Sequence, residues 1–357
     1  MKIGIVTYHR TNNYGAVMQA LATRFVLEDM GHEAYYVDYW PEYHKEMYQV
    51  FPKKMFWRMN ILQKGNFLLK LCLYHKAMKK RIENFEHFFQ TQVFPYCHSE
   101  REEYDAIVYG SDQIWRRQKA LNNYNPVYFG KNDFKAKQHV TYAASMGLLP
   151  KKEADRQIVK ELVSHLDKIS VREEGLKKLL LSLGYDNVSL VLDPTLLLSS
   201  EAWDRHLPTE PYKGEKYVLV YIIDSNAFNL KAIKNFADSK GLKMKVLRGY
   251  ANTKETKTNI TTEGPLEFVR LIKNAEYVFS ASFHGLAFSI IYGKQFFTSF
   301  KSNSNRAESL LNQLEIKGRL LPPKVSVPQD VPPIDYTEVR GKLQALRQES
   351  LSFLQSI

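Results

Sequence analysis

Residues 277–294 hold this chain to one kind of fold. The apolar run Tyr277-Val278-Phe279 has the length of a buried strand. It stops at small residues and a single histidine, and gives way at Gly285 to an amphipathic helical pattern. The same order opens the chain. Residues 3–6 form an apolar run and residues 8–15 a polar loop. Val17, Leu21, Phe25 and Leu27 then fall among the apolar positions of a helix that Gly31 ends, before residues 34–37 restart a strand. Strands that alternate with helices run parallel, because the helix is the crossover that brings the chain back to the same end of the sheet. The pattern predicts a doubly wound α/β fold.

The alternation occurs in two blocks. Residues 104–109, 139–143, 169–171 and 188–192 read as strands of the first block, and residues 217–223, 243–247 and 277–279 as strands of the second. Between the blocks lie Pro208, Pro211 and Gly214, all turn formers. The expected organisation is an N-terminal Rossmann-like domain over residues 1–205, carrying a helical excursion over 44–90, and a C-terminal Rossmann-like domain over 216–325. Pro322, Pro323, Pro328, Pro332 and Pro333 mark an extended connector, and a helix over 335–357 is expected to pack back on the N-terminal domain. A chain of 357 residues has room for two such cores.

In folds of this class ligands bind in the crevice beyond the carboxyl ends of the strands. His284 sits on such a strand-to-helix turn, where an imidazole can give or take a proton near neutral pH or hold an anion; a packing or capping role is the alternative. The loop from His9 to Gly15 opens a helix whose backbone N–H groups favour an anion. Asn13 and Tyr14 add hydrogen-bonding groups and Arg10 a guanidinium fork, although the same loop can serve only as a helix cap. It lacks the GxGxxG fingerprint, which disfavours a nicotinamide cofactor. Gly110-Ser111-Asp112-Gln113-Ile114-Trp115 closes another strand. Asp112 can act as base or anchor for a sugar hydroxyl and Trp115 can stack on a sugar ring, or Ser111 and Asp112 cap a helix over a buried Trp115. Arg172, Arg248 and Arg306 follow strands and are further candidate anion ligands. Asp193-Pro194-Thr195 reads as a structural turn.

Other classes find no support. GxSxG, HExxH, CxxC and Walker A patterns are all missing, which argues against a hydrolase triad, a zinc site and a P-loop, and no metal is expected. Cys72 and Cys97 form neither a metal-ligand pattern nor a disulfide framework, as expected of a reducing compartment. The first apolar run is too short for a secretion signal, and no stretch approaches the ~20 apolar residues of a membrane span, so a cytoplasmic location is expected.

The net charge of +12 is concentrated. Residues 45–81 hold ten Lys and Arg against Glu46 alone, with Phe51, Phe56, Trp57, Phe67 and Tyr74 interleaved. Such a segment suits an anionic lipid surface or an anionic polymer, or else is a helical excursion whose lysines are a solvated face and whose aromatics are core. No nucleic-acid module accompanies it, so nucleic acid is not an expected partner.

Taken in order, several motifs resemble the polysaccharide pyruvyl transferase family. They are the opening from Gly4 to Gln19, the Gly110–Trp115 box, Ser170-Val171-Arg172-Glu173, Leu192-Asp193-Pro194-Thr195 and Ser282-Phe283-His284-Gly285. The resemblance implies a GT-B-like fold with the site between two Rossmann-type domains. It implies transfer of a pyruvyl group from phosphoenolpyruvate to a sugar, closing a cyclic ketal and releasing phosphate, with no cofactor. By the resemblance His284 is catalytic, the general acid towards the donor methylene carbon, and Asp112 is the base or orienter of the attacking hydroxyl. Family members often carry an Arg where this chain has Ser282, so either Arg10, Arg172, Arg248 or Arg306 replaces it as the donor's ligand or the donor itself differs. The acceptor is expected to be a sugar of a surface polysaccharide, in lipid-linked form at the inner face of an anionic membrane. The readings set against this one are a glycosyltransferase of the same fold using a nucleotide sugar, and a non-catalytic protein bound to the membrane surface.

Overall fold

The computed structural model describes residues 1–223, 226–301, 304–325, 327 and 331–357; Pro328 of the connector lies outside them. Its strands are β1 (Lys2–Val6), β2 (Glu33–Val37), β3 (Cys97–His98), β4 (Glu103–Tyr109), β5 (Lys135–Thr141), β6 (Ile169–Val171), β7 (Val188–Leu190), β8 (Tyr217–Ile222), β9 (Lys243–Arg248), β10 (Asn259–Ile260), β11 (Tyr277–Ser280) and β12 (Gln295–Thr298). The helices are α1 (Tyr14–Asp29), α2 (Glu42–Met47), α3 (Lys53–Arg58), α4 (Ile61–Gln92), α5 (Glu153–Val163), α6 (Glu174–Ser182), α7 (Ser200–His206), α8 (Leu230–Ser239), α9 (Pro265–Lys273), α10 (Phe283–Ile291), α11 (Asn305–Gln313) and α12 (Tyr336–Gln355).

The strands form two five-stranded sheets of the same plan, β3-β2-β1-β4-β5 and β10-β9-β8-β11-β12. All their pairings are parallel, for example Ile3 opposite Ala106 and Val278 opposite Leu219. β6 and β7 pair with each other and meet the end of β5 through single bridges, Val140 to Lys168 and Ala144 to Val171. In both sheets the order reverses at the first strand of the unit, β1 and β8, and the helices after β1 and β11 start at that switch point, where such folds open a crevice. The fold is α/β and GT-B-like, two Rossmann-type parallel sheets facing a cleft.

Helices α1 and α10 decide how the halves meet. The sequence reading makes α10 amphipathic; in the structure every side chain of α10 is buried, because the helix is enclosed on all sides. α1 is buried along nearly its whole length in the same way. One apolar cluster runs through both sheets, joining Val17, Leu21 and Phe25 of α1 to Leu286 and Phe288 of α10, Phe268 of α9 and Trp203 of α7. Burial at roughly 25 cal/mol per Å² makes this shared core a main source of cohesion between the halves.

The excursion after β2 is helical throughout. α4 is capped by Asn60, whose side chain accepts from the Gln63 N–H while the Gln63 side chain accepts from the Asn60 N–H, a reciprocal capping box. The apolar pattern suggests a helix over 66–90; the observed start at Ile61 lies five residues earlier, because the polar Asn60–Gln63 pair and not the apolar face nucleates the helix. α12 begins against the second sheet, where Tyr336 Oη donates to the Lys294 carbonyl at 2.5 Å. It ends against the first half, where Arg347 donates to the carbonyls of Leu196 and Leu198 at 2.6 and 3.0 Å. Among the described residues no helix is long and apolar enough to cross a membrane.

Candidate active site

A cavity of about 430 Å³ opens between the carboxyl ends of the two sheets. The first half contributes Tyr8, Thr11 and Asn13 after β1, Asp112, Arg116 and Gln118 after β4, and His44 and Tyr48 from α2 and the turn after it. The second contributes Tyr250 after β9, Ser282 and His284 after β11, Ser299 and Lys301 after β12, and Arg306 from α11.

His284 stands on the first turn of α10, whose N-terminus meets that of α1. The two helices approach so closely that a Cβ at Gly15 would overlap the His284 ring, so this position requires glycine. Asn13 starts α1 by accepting from the Gly15 and Ala16 N–H groups at 3.0 and 3.4 Å. The ring turns its Nε2 to the Asp193 carboxylate at 3.6 Å, beyond hydrogen-bond length, and Nε2 is buried with no closer partner.

Asp193 is the hub behind the histidine. One oxygen accepts from the Thr195 backbone and hydroxyl at 3.0 and 2.7 Å, which holds the turn. The other faces His284, the Ser111 hydroxyl and the Arg172 guanidinium, with which it makes a direct ion pair. Burial alone would raise the Asp193 carboxyl, but Arg172 and His284 outweigh it and hold the group well below the usual carboxylate range. Asp193 is therefore a fixed anion at neutral pH.

Asp112 reaches the cavity from a left-handed backbone conformation, φ 69°, a region that Asp tolerates better than most residues. Its carbonyl accepts from the Ser145 N–H at 3.1 Å, and its carboxylate receives Arg172 at 3.1 Å and lies 3.8 Å from Arg306. Burial is again outweighed by Arg172, His284 and Arg306, and the Asp112 carboxyl is lowered. Arg306 lies 3.8 Å from Glu173 as well; its buried Nε has no hydrogen-bond partner, and burial followed by the neighbouring Arg172 lowers it. Burial and then Arg116 push the His44 imidazole down to about 4, which leaves it neutral at physiological pH.

Five of the residues singled out in the sequence line this cavity together: His284, Asp112, Asn13, Ser282 and Arg306. Two stand behind it. Arg172 is buried and engaged by Asp112 and Asp193, and Ser111 is buried with its hydroxyl donating to the Ala143 carbonyl at 2.9 Å, so both support the site rather than contact a ligand. Four are directed elsewhere. Trp115 does not stack on a sugar: it is fully buried, its indole N–H donates to the Tyr128 carbonyl at 2.8 Å, and it stacks on Phe129. Arg10 turns to Asp38 at 2.9 Å and lies over the Phe94 ring, because the residue just past β2 and the segment before β3 offer it an anion and an aromatic face. Tyr14 is buried between the halves, stacked on Phe268, its hydroxyl donating to the Glu263 carbonyl at 2.7 Å. Arg248 donates to the Asn259 side chain at 2.8 Å, held by the neighbouring β10.

The sequence reading passed over Asp193, taken only as a turn, and over Glu173, Tyr8, His44, Tyr48, Arg116, Gln118, Tyr250, Ser299 and Lys301. For Asp193 the available signal was its place directly after a strand. Arg116 had the basic position just past the Gly110–Trp115 box. The others carry no local pattern, since only the meeting of the two halves makes them neighbours.

No curated protein matches the chain. Among solved structures the chain is similar to UDP-GlcNAc 2-epimerase from Methanocaldococcus jannaschii in complex with UDP-GlcNAc and UDP, at 13% identity over 97% of this chain and 93% of that one, TM-score 0.43. It is also similar to UDP-GlcNAc 2-epimerase from Neisseria meningitidis bound to UDP-GlcNAc, at 10% identity over 98% and 94%, TM-score 0.43. A third is the glycosyltransferase SnogD from Streptomyces nogalater, at 11% identity over 98% and 95%, TM-score 0.39. The sequence profile described as polysaccharide pyruvyl transferase matches residues 13–300, from the cap of α1 past β12 and so across both sheets and most of the cavity wall. The chain belongs to the polysaccharide pyruvyl transferase family.

Proposed function

We propose that the protein transfers the pyruvyl group of phosphoenolpyruvate to a sugar of a surface-polysaccharide precursor, closing a ketal across two hydroxyls and releasing phosphate. The observation that carries this reading is the pairing, in one cavity, of His284 backed by the fixed anion Asp193 with the cations Arg116, Lys301 and Arg306. A donor bearing both a carboxylate and a phosphate needs several cations, and it needs an acid at its carbon end. Ser282 supplies no charge where the family pattern has an Arg. In this reading Arg306, whose Nε lacks a partner, takes that part from α11.

In the proposed reaction His284 gives a proton to the methylene carbon, and the cation that forms at the adjacent carbon is attacked by a sugar hydroxyl, making the first C–O bond. The carbon–oxygen bond to phosphate then breaks, and phosphate leaves towards the arginines and Lys301 with the bond's electron pair. A second hydroxyl closes the ketal. Of the two hydroxyl protons released, one returns to the histidine and one is carried off by phosphate. Asp112 is a lowered carboxylate and hence a weak base, so its part is to accept a hydrogen bond from the hydroxyl and aim it. Tyr250, exposed at the cavity wall, replaces Trp115 as the aromatic face for a sugar ring.

The test is phosphate release from phosphoenolpyruvate with a panel of nitrophenyl and lipid-linked sugars. Release that depends on the acceptor, and falls by about a hundredfold or more in His284→Gln, is expected. Absence of release across the panel, together with thermal stabilisation by nucleotides but not by phosphoenolpyruvate, would replace this reading with nucleotide-sugar transfer.

A further inference from the structure

α4 is far longer than its seat. The helix has 32 residues, about 48 Å at 1.5 Å per residue, yet its buried side chains are Arg81, Phe85, Phe88 and Phe89, all in the second half. Residues 61–80 carry no buried side chain, so this stretch is an arm standing off the body. Its far end is braced by α3: Phe51, Phe56 and Phe67 form a ring cluster with centroids 5.0 to 5.6 Å apart, and Lys64 lies over the Trp57 ring.

One face of the arm is apolar and uncovered. Ile61, Leu62, Leu68, Leu69, Cys72 and Leu73 recur at helical spacing and are all exposed, Ile61 and Leu62 at 87% and 85%. Trp57 on α3 is 68% exposed beside them. Continuing the same spacing towards the body, the stripe changes character and becomes Lys76, Lys79 and Lys80, also exposed. Lys53, Lys54 and Arg58 add charge from α3. An apolar stripe of about 18 Å, bounded by cations at both ends and with an exposed Trp beside it, matches a helix lying along the surface of an anionic bilayer, its apolar face in the acyl boundary and its cations among the headgroups.

We propose that the α3–α4 arm is a docking element for an anionic lipid bilayer, with the stripe from Ile61 to Leu73 entering the acyl boundary and Lys76, Lys79 and Lys80 lying among the headgroups. A second copy of the chain fits the stripe poorly. Paired in parallel, two arms bring their lysines together; paired antiparallel, each sets lysines against the partner's isoleucine and leucines. The arm is tied to the cavity at its root and its side. Arg81 donates to the Tyr14 hydroxyl at 2.7 Å and the Thr261 carbonyl at 3.1 Å, on opposite sides of the cleft. α3 rests on α2 through the Met55 N–H to Glu46 at 2.9 Å, and α2 lines the cavity. Docking therefore holds the cavity close to the bilayer, and its consequence, an acceptor presented on a lipid, rests on the transfer reading above.

The experiment is sedimentation of the full chain, without substrates, with vesicles of phosphatidylcholine alone or with phosphatidylglycerol added, at low and high salt. Binding to the anionic vesicles alone, weakened by salt, is expected, with a blue shift of Trp57 fluorescence. Lys76→Glu, Lys79→Glu and Lys80→Glu together should lower partitioning by about tenfold or more. Ile61→Asp with Leu62→Asp should abolish the blue shift while circular dichroism and the urea midpoint stay unchanged, since both side chains are exposed. Wild-type protein left in the supernatant, equal binding to neutral vesicles, or a vesicle-free dimer that the Ile61→Asp, Leu62→Asp variant dissociates would each overturn the proposal. Turnover of a water-soluble acceptor without vesicle binding removes the docking alone, and vesicle binding without phosphoenolpyruvate turnover removes the transfer reading alone.

Discussion

At the residue scale the site rests on Asp193, which does three things with one carboxylate: it holds its own turn through Thr195, fixes Arg172, and faces the His284 ring. Asp193→Asn keeps the shape but removes the charge. Arg172 is then left buried with half its compensation, which costs about 3 kcal/mol in urea unfolding. His284 loses the anion that faces it, and under the proposed transfer kcat should fall roughly a hundredfold while KM for phosphoenolpyruvate changes little, because Asp193 lies behind the histidine and does not line the cavity. A variant with a raised KM and an intact kcat would show that Asp193 binds the donor instead. His284 was legible in the sequence because a lone histidine at the end of an apolar run is conspicuous. Asp193 was not, because an Asp-Pro turn looks the same whether or not a histidine from a distant strand comes to rest beside it.

At the scale of elements the strand–helix alternation was read from apolar spacing, and the parallel sheets follow from it. The character of single helices was not. α10 reads as an amphipathic helix with His284 and Ser289 on it and Ser282 at its cap, yet it is buried all round, and α4 looks like a core helix yet leaves an apolar stripe in the open. Periodicity reports which residues share a face. It does not report how many faces another element will cover. α12 shows the converse, a helix whose value lies in what it clamps. Its Arg347 holds the carbonyls of Leu196 and Leu198, and its Ser350 accepts from the Leu192 N–H at 2.9 Å, so the helix grips the Asp193 turn from both sides. Arg347→Ala removes two charge-assisted hydrogen bonds and should cost about 2 kcal/mol in urea unfolding, with a smaller loss of turnover than Asp193→Asn. An unchanged unfolding midpoint would mean that the turn stands without the helix.

At the scale of the whole molecule the two sheets are sutured beside the cavity. Tyr14 and Arg81 from the first half, with Asn84, bond to the carbonyls of residues 261–263 from the second. Arg81→Ala leaves the Tyr14 hydroxyl and the Thr261 carbonyl short of a partner and should cost about 3 kcal/mol. Its more telling effect is on cooperativity: tryptophan fluorescence and circular dichroism should coincide in the wild type and separate in the variant in urea as the halves unfold apart, and coincident curves for the variant would show that the α1–α10 core alone couples them. The sequence by itself determined the class of fold, the order of its two blocks, the family and the histidine, because each of these is written in local spacing or in contiguous motifs. Only the tertiary structure decided that Arg306 would face Asp112 across a cleft that Lys301 also lines, that Arg10 and Trp115 would turn away, and that Asp193 would stand behind His284. Those contacts join residues far apart in the chain, and they depend on how two separately patterned halves pack α1 against α10, which no window of sequence contains.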